Sequence, residues 1–375
     1  MRQRIKKLSM HTVHKITYLI LTAFIFLLLF PAVSYSQESE GIAISGTITE
    51  AGTDETLPAV HAYISQTTVG TTSDETGSFE FNTTLTGTHE LVFSFVGFKT
   101  KRVAVYLDGD LEIDVELEPD TFSLDEVEVV TTGDAVWYRN LERFKNRFIG
   151  TSYFARQAEI KNPWVIDFDK DDEGQQIAYT SRPIEIENHA LGYKLFIDLV
   201  DFTWDESENM GLYTFYSRFE EMQTDSRREQ SSWESSRERS YRGSFEHFLK
   251  SLYNDELTRN RFEPVVEGTE NRVQIEQLSE FEMRRVRNIL TVQGAAAPQS
   301  LKGFKLYSPV DVLYGRSGRV RDSRARSRIV PMHDSGIFIV TEAGRLFDPA
   351  SLRVDGAWSD ERVGDLLPVT FSLDD

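Results

Sequence analysis

The chain has 375 residues, of which 40% are hydrophobic and 12% aromatic, so its composition is globular and its length predicts two domains. Its formal net charge of −19 argues against nucleic acid as a partner, because DNA and RNA are bound through basic surfaces. The chain contains no cysteine, which excludes disulfides, thiol catalysis and cysteine–zinc sites within it.

The first 36 residues have the pattern of a secretory signal peptide. Positive charges precede an apolar stretch at residues 16–30, and small residues follow up to Ser36, where we expect cleavage. The positive residues are Arg2, Arg4, Lys6, Lys7 and Lys15. Because the apolar stretch is shorter than the roughly 20 residues that span a bilayer, a cleaved signal is favoured over a retained inner-membrane anchor. We therefore expect an exported protein with no transmembrane segment in its mature chain.

Residues 41–119 have the pattern of an all-β domain. Leu111, Ile113, Val115 and Leu117 alternate with acidic residues, which indicates a strand with one buried and one charged face. Similar runs occur at 91–95 and 103–107, and turn sequences occur at 52–54, 74–77, 86–88 and 108–110. Strands at this spacing predict a β-sandwich of about seven strands.

Four motifs follow one another along this domain. They are Ile44-Ser45-Gly46-Thr47-Ile48, residues 57–64 (LPAVHAYI), residues 70–79 (GTTSDETGSF) and residues 91–98 (LVFSFVGF). Together they resemble the carboxypeptidase regulatory-like domain, an immunoglobulin- or transthyretin-like β-sandwich. The resemblance implies an accessory fold without catalytic residues, so it does not imply an enzyme. Gly77 and Gly97 are expected at turns, where glycine adopts positive φ readily.

Residues 120–133 are predicted to be a linker. Within it, residues 123–130 (SLDEVEVV) resemble the segment that joins this kind of sandwich to the plug of TonB-dependent outer-membrane receptors. The residues after it lack the repeated amphipathic strands of such a receptor. The likeness therefore implies only the same compartment.

Residues 134–375 are predicted to form an α+β domain that is mostly β. A helix that is capped by Asp134 and stopped by Gly150 would bury one apolar stripe, and another helix is expected from Ser152. The stripe consists of Trp137, Leu141, Phe144 and Phe148. Strands are expected at 164–168, 176–180, 193–199, 213–215 and 337–340, and a later helix is expected to begin at Ser244.

Five segments of this second region form a further set of motifs. They are residues 144–152 (FKNRFIGTS), 161–163 (KNP), 183–194 (PIEIENHALGYK), 241–249 (YRGSFEHFL) and 361–368 (ERVGDLLP). They resemble the C-terminal half of exported proteins of Gram-negative bacteria that carry a carboxypeptidase regulatory-like domain. The resemblance implies an architecture and no particular chemistry. Such proteins often have a cysteine just before the Asn-Pro pair, where this chain has Glu159 and Ile160.

A basic run stands out in this acidic chain. It comprises Arg316, Arg319, Arg321, Arg324, Arg326 and Arg328. It is a candidate contact for an anion or an acidic partner, such as the phosphates of lipopolysaccharide. We favour the alternative of a mobile loop, or of ion pairs with the chain's own carboxylates. Residues 218–242 carry balanced charges and are expected to be a surface helix or a flexible loop.

Other patterns have simpler structural interpretations. Asp167, Asp169 and Asp171 have calcium-loop spacing, but the glycine and glutamate that an EF-hand loop requires are missing, so an acidic hairpin is favoured. Residues 334–336 (DSG) resemble an aspartic-protease motif without its second copy, so a turn before the strand at 337 is favoured. His247 is expected to be a hydrogen-bonded core or boundary histidine.

No catalytic, cofactor-binding or metal-binding residues are assigned, because zinc, phosphate-loop, dinucleotide and nucleophile-elbow motifs are absent from the mature sequence. We expect an exported, non-enzymatic binding or assembly accessory of the periplasm or outer membrane, with a partner protein at the cell envelope. The alternatives are a hydrolase with a dispersed site in the second region, and a structural protein that pairs through its sheet edges. An enzyme should have a pocket with convergent polar groups and shifted carboxylates or histidine, whereas a binding protein should have an exposed aromatic patch or a groove.

Overall fold

The computed structural model describes residues 41–120, 135–171, 174–205, 210–292, 295–296, 299–315 and 325–373. The predicted signal peptide, the linker from residue 121 to 133 and the helix cap at Asp134 lie outside these residues. The N-terminal strands are β1 (Ile42–Glu50), β2 (His61–Ile64), β3 (Gly70–Thr72), β4 (Ser78–Thr83), β5 (Gly87–Ser94), β6 (Lys101–Leu107), β7 (Leu111–Glu112) and β8 (Val115–Leu117).

These strands confirm the predicted β-sandwich. One sheet contains β4, β1, β7 and β8, and the other has the order β3-β2-β5-β6. Alternation along the strands turns one face of each sheet inward. The core between the sheets includes Ile44, Ile48, Val60, Phe79, Phe93, Val105 and Leu117. Gly77 and Gly97 adopt φ of 76° and 86°, as expected for their turns.

The alternating run at residues 111–117 forms two short strands rather than one. Both pair in parallel with β1, and the pairing is interrupted between them. At the interruption, the carbonyl oxygen of Ile113 lies so close to Gly46 that an added Cβ would be 1.8 Å from it. The Asp114 carboxylate also accepts the Thr47 N–H there. The sandwich therefore has eight described strands where the sequence predicted about seven.

The second region confirms the expected mixed fold with more β than α structure. Its helices in the described residues are α1 (Ala135–Phe144), α2 (Arg227–Tyr241), α3 (Phe245–Tyr253) and α4 (Glu280–Arg287). Its strands are β9 (Ala158–Ile160), β10 (Ile166–Lys170), β11 (Gln176–Thr180), β12 (Ile184–Asn188), β13 (Tyr193–Asp205), β14 (Met210–Glu221), β15 (Phe262–Val266), β16 (Glu276–Gln277), β17 (Thr291–Val292), β18 (Ala295–Ala296), β19 (Lys302–Lys305), β20 (Val310–Tyr314), β21 (Ala325–Pro331), β22 (Ile337–Val340) and β23 (Leu352–Gly356).

The long strand β13 organises the first half of this region. It pairs with β14 along one edge, and with β12 and then β11 along the other. Strands β9 and β10 complete a six-stranded sheet. Helix α1 continues as a π-helix at Lys145–Ile149, which ends at Gly150. The predicted apolar stripe packs on this sheet, with the rings of Phe144 and Phe202 4.8 Å apart.

The second half contains two smaller sheets and a short hairpin. Strands β15-β20-β21-β23 form one sheet, β16-β19-β22 form another, and β17 pairs with β18. Ser244 caps the N-terminus of helix α3, as the sequence predicted, and its side chain accepts the His247 N–H. The core here is built mainly from Phe248, Phe262, Val312, Phe338 and Trp358.

The structure decides two local predictions, for the segment after Ser152 and for residues 218–242. The helix expected from Ser152 is wrong: the chain forms a 3₁₀ turn at Ala155–Gln157 and then enters β9, because residues 158–160 pair with β12. The balanced charges of residues 218–242 were compatible with either a surface helix or a flexible loop. Most of these charged residues lie on helix α2, which Ser226 caps.

Among the described residues, none of the helices has both the length and the apolarity that a bilayer crossing requires.

Candidate functional site

The sandwich packs against the second region through a polar contact centred on Asp198 of β13. Tyr63 donates its hydroxyl proton to one carboxylate oxygen of Asp198, and Ser94 donates to the other, each at 2.5 Å. Asp198 is only 8% exposed. Burial raises the pKa of its carboxyl, against the opposing effect of the two hydroxyl donors. The contact therefore joins β2 and β5 of the sandwich to the sheet of the second region.

Backbone hydrogen bonds reinforce this contact. The Gln66 N–H donates to the Ser217 carbonyl, and the Phe219 N–H donates to the Thr67 carbonyl. The Val369 N–H from the C-terminal segment donates to the Gln66 carbonyl. The described residues from Ile42 onward accordingly form one compact unit.

Strand β5 contacts the second region at both of its ends. Ser94 lies at its end, and Gly87 lies at its start, about 23 Å away at 3.3 Å per residue. A Cβ on Gly87 would overlap the Glu342 carboxylate, at 1.0 Å from Oε1. Glycine at position 87 is therefore required for this approach. Oε1 of Glu342 is buried and has no hydrogen-bond partner within the part of the chain that the structure describes.

A cleft of about 590 Å³ lies at the Gly87 end of this contact. The sandwich contributes residues 84–86 and His89, and the second region contributes α3, the residues just after it, Glu342, Ala343 and residues 369–373. Its volume is in the range of small-molecule sites, about 300–1,000 Å³. Because both regions line it, the cleft depends on their docking.

Two buried histidines line the cleft, one from each region. His247 of α3 accepts the Gly243 N–H at Nδ1, so its proton is on Nε2. His89 of β5 donates from Nε2 to the Thr86 carbonyl, which leaves Nδ1 as an acceptor. Burial lowers the pKa of both rings, that of His247 to about 4. Both rings are therefore neutral at neutral pH.

The charged side chains of the cleft have opposite charges nearby. Glu256 forms an ion pair with Arg259, and Glu246 accepts from Arg345 at 3.3 Å. Lys250 donates to the Glu342 carbonyl oxygen at 2.5 Å. Burial lowers the pKa of Lys250, and the charges of Glu246 and Glu342 oppose that shift.

A smaller pocket of about 270 Å³ adjoins this cleft and shares Tyr241 and Glu246 with it. Three carboxyl groups line the pocket, those of Glu246, Glu361 and Asp365. Burial raises the pKa of each of them, that of Glu361 to about 8. Such shifts often accompany acid–base catalysis, but they also occur in structural networks.

Each carboxylate of this pocket has a structural partner. Glu361 accepts the Phe245 N–H at the start of α3, at 3.2 Å. Asp365 accepts the Arg362 N–H, also at 3.2 Å, and Glu246 has the Arg345 contact described above. The pocket can therefore provide a neutral carboxylic acid at neutral pH, while its geometry also serves to hold α3 in place.

The predicted arginine run is only partly described. Arg326 contacts Asp311 at 2.8 Å and Glu270 at 2.6 Å. Arg328 contacts the same Asp311 at 2.8 Å and Glu267 at 2.7 Å. Hydrogen bonds from the two arginines and from the Gly268 N–H lower the pKa of the Asp311 carboxyl to about 2, despite burial. The remaining candidates, Arg316, Arg319, Arg321 and Arg324, lie outside the described residues.

The other sequence motifs occupy structural positions. Residues 334–336 form a turn before β22, as predicted, and the Gly336 N–H donates to the His333 carbonyl. Asp167 and Asp169 lie on β10 of an acidic hairpin with β11. In the described ranges, no three His, Asp or Glu side chains are grouped so that they could hold a metal ion.

Sequence reasoning missed most residues of the cleft and pocket. His247 was correctly expected to be buried and hydrogen bonded, at 4% exposure. Glu246 and Glu361 lie inside the motifs 241–249 and 361–368, and these two segments form much of the smaller pocket. That convergence could not be read from a single sequence, since more than 100 residues separate the segments. Asp198 and Glu342 had no signal beyond their position in ordinary strand and turn patterns.

The solved structures that are similar to this chain include three with low TM-scores. A chain of a type II cohesin–X-dockerin complex from Acetivibrio cellulolyticus, a C-terminal interface mutant, is 23% identical with a TM-score of 0.19. That alignment covers 20% of this chain and 53% of the other, so this chain spans about half of that chain's length. An N-terminal interface mutant of the complex gives 24% identity and a TM-score of 0.18, with the same coverage.

A third match is to a Bacteroides uniformis ATCC 8492 protein that is provisionally described as carbohydrate binding. It is 10% identical, with a TM-score of 0.19 and coverage of 80% of this chain and 99% of that one. TM-scores this low support no conclusion about fold or ligand. No curated protein sequence matches the chain. A family model does match part of it: residues 44–129 are identified as a CarboxypepD_reg-like domain.

Proposed function

We propose that the protein is an exported, non-enzymatic binding accessory of the periplasm or outer membrane, and that it binds a small polar ligand in the cleft between its two regions. The observation that carries the proposal is the cleft itself. Its size suits a small molecule, and both the CarboxypepD_reg-like sandwich and the second region line it. In this role the sandwich completes a binding site and has no chemistry of its own.

Filling the cleft tests this role. Ala343 lines the cleft, whereas Ala350 is exposed on a nearby turn outside it. The full-length mature protein and the variants Ala343→Trp and Ala350→Trp would be screened by thermal shift against hexoses, amino acids and nucleoside monophosphates. We expect at least one compound to raise the melting temperature of the wild type and of Ala350→Trp, but not of Ala343→Trp. A lack of any such compound, or an equal response of Ala343→Trp, would overturn the proposal.

Export is tested separately in cells. The signal pattern of residues 1–36 supports the proposal of export. A C-terminally tagged chain would be expressed in a Gram-negative host, and the cells would be fractionated. We expect a protein that begins after Ser36, as judged by its intact mass, in the periplasmic or outer-membrane fraction. An uncleaved chain in the inner membrane or the cytosol would contradict this part of the proposal.

The smaller pocket favours a second candidate function, that of a hydrolase. A carboxyl group whose pKa is about 8 is protonated at neutral pH and can act as a general acid. We rank this candidate second because each carboxylate already has a structural partner. Hydrolysis of chromogenic esters and glycosides by the wild type, together with its loss in Glu361→Gln at unchanged folding, would favour the hydrolase. Activity that is equal in both proteins would remove Glu361 from consideration.

A further inference from the structure

We infer that the cleft binds an uncharged, polyhydroxylated molecule of the size of a mono- or disaccharide. The inference rests on the proposed function, since it names the class of ligand for the same cleft. It follows from the charge balance of the cleft walls, from the neutral donors and acceptors along them, and from two aromatic side chains that line the cleft.

Charge balance disfavours an ionic ligand. Among the described residues, the carboxylates that line the cleft are those of Glu246, Glu256 and Glu342. Arg345 and Arg259 contact the first two, and Lys250 interacts with both Glu246 and Glu342. These side chains therefore carry no excess of either charge that would offset the hydration an ionic ligand loses on entering. A neutral ligand has a far smaller desolvation cost.

The walls offer neutral hydrogen-bonding groups of both kinds. The tautomers assigned above make His247 a donor and His89 an acceptor, one from each region. Asn254, which follows α3, adds an amide with both donor and acceptor atoms. A hydroxyl group both donates and accepts, so a molecule with several hydroxyls matches such a mixed lining better than one that only donates or only accepts.

Glu342 provides a second, independent indication. Its Oε1 atom is buried without a hydrogen-bond partner among the described residues, and a buried acceptor in this state is unfavourable. Its side chain also lines the cleft. A ligand hydroxyl that reaches this oxygen would supply the missing donor.

Two aromatic side chains, of which Phe371 is half-buried and Tyr241 is buried, add to the match. Tyr241 and Phe371 both line the cleft, and their ring centroids are 5.5 Å apart in an edge-to-face arrangement. Sugar rings present C–H groups on one face and hydroxyls around the edge. Such an amphipathic ring can pack its C–H face on an aromatic side chain while its hydroxyls bond to the polar wall.

The test compares neutral and charged compounds of the same shape. Binding of glucose, galactose, mannose and maltose to the full-length mature protein would be measured by calorimetry, beside glucuronate and glucosamine. We expect at least one neutral sugar to bind at least tenfold more tightly than both charged compounds. Its affinity should change little with ionic strength, because no charge pairing with the ligand is involved.

A pair of matched variants locates the binding. Asn254 and Asn288 are both exposed and both end a helix, α3 and α4 respectively, but only Asn254 lines the cleft. Asn254→Ala should weaken sugar binding three- to tenfold, the loss of about one hydrogen bond, whereas Asn288→Ala should leave it unchanged. Equal effects of the two variants would overturn the inference.

The binding measurements distinguish a wrong ligand class from a wrong binding site. Tighter cleft-dependent binding of glucuronate, glucosamine or a nucleotide would overturn the sugar inference and leave the binding function in place. If the Ala343→Trp variant responds like the wild type to every compound that binds, both proposals fall.

Discussion

Among single residues, the buried carboxyl of Glu361 is expected to make the free energy of unfolding depend on pH. Burial raises the pKa of its carboxyl from an ordinary 4.5 to about 8, so the folded state holds the proton more tightly than the unfolded chain does. Its contribution to stability is complete below pH 4.5 and is lost as the pH rises to 8. The slope in this window is up to about 1.4 kcal/mol per pH unit.

Glu361→Gln removes this titration and can keep an oxygen that accepts the Phe245 N–H. In urea titrations from pH 4.5 to 8, the free energy of unfolding of the wild type should fall relative to that of Glu361→Gln. Above pH 8 the variant should be the more stable protein. Glu116→Gln, at an exposed position on β8, is the control and should follow the wild type. Parallel curves for the wild type and Glu361→Gln would contradict the assignment.

Among the structural elements, the turn between β12 and β13 is expected to tolerate no side chain larger than that of glycine at position 192. Gly192 has φ of 69° there, and an added Cβ would lie 2.3 Å from the ring of Trp233 on α2. Trp233 is fixed in turn by its hydrogen bond to the His189 carbonyl, at 3.0 Å. Gly192→Ala should therefore destabilise the protein by the cost of positive φ, about 1 kcal/mol, and by the displacement of Trp233, about 1–3 kcal/mol.

Gly174 provides the matched control for this substitution. It also has positive φ, 82°, but a Cβ there would meet no described residue within 4 Å. Gly174→Ala should therefore show only the backbone cost in urea denaturation. Similar losses for Gly174→Ala and Gly192→Ala would mean that α2 adjusts to the added methyl group without cost.

An element could be predicted from the sequence where the spacing of its own hydrophobic residues determines its structure. The stripe from Trp137 to Phe148 and the alternation along β13 were visible because one face of each is buried. The helix expected from Ser152 did not form because residues 158–160 pair with β12, which is a tertiary contact. Similarly, the break in the run at 111–117 depends on the approach of the Ile113 carbonyl to Gly46. Such long-range contacts leave no local pattern, which is also why the cleft was missed.

On the largest scale, the sandwich and the described residues of the second region belong to one compact unit. Asp198 is central to this coupling because Tyr63 and Ser94 of the sandwich both donate to it. A small buried cluster of Tyr63, Val92 and Tyr216 packs beside it. We therefore expect the sandwich and the second region to unfold together in the wild type.

The tryptophans allow this coupling to be measured. All five, Trp137, Trp164, Trp204, Trp233 and Trp358, belong to the second region, so their fluorescence reports on that region while far-UV circular dichroism reports on both. The two signals should give coincident urea transitions for the wild type, as a two-state protein does. Asp198→Ala leaves two buried hydroxyls without their acceptor and should lower the free energy of unfolding by about 2 kcal/mol or more.

In Asp198→Ala the two transitions should also separate, because the sandwich retains its own core while its attachment is weakened. Asp201→Ala changes an exposed aspartate on the same strand and should leave the transitions coincident. If Asp198→Ala shifts both transitions equally and keeps them together, the backbone bonds between residues 66–67 and β14 are sufficient for coupling. The cleft would then remain assembled without Asp198, and ligand binding to this variant should match that of the wild type. Separated transitions predict instead that ligand binding in the cleft weakens together with the attachment of the sandwich.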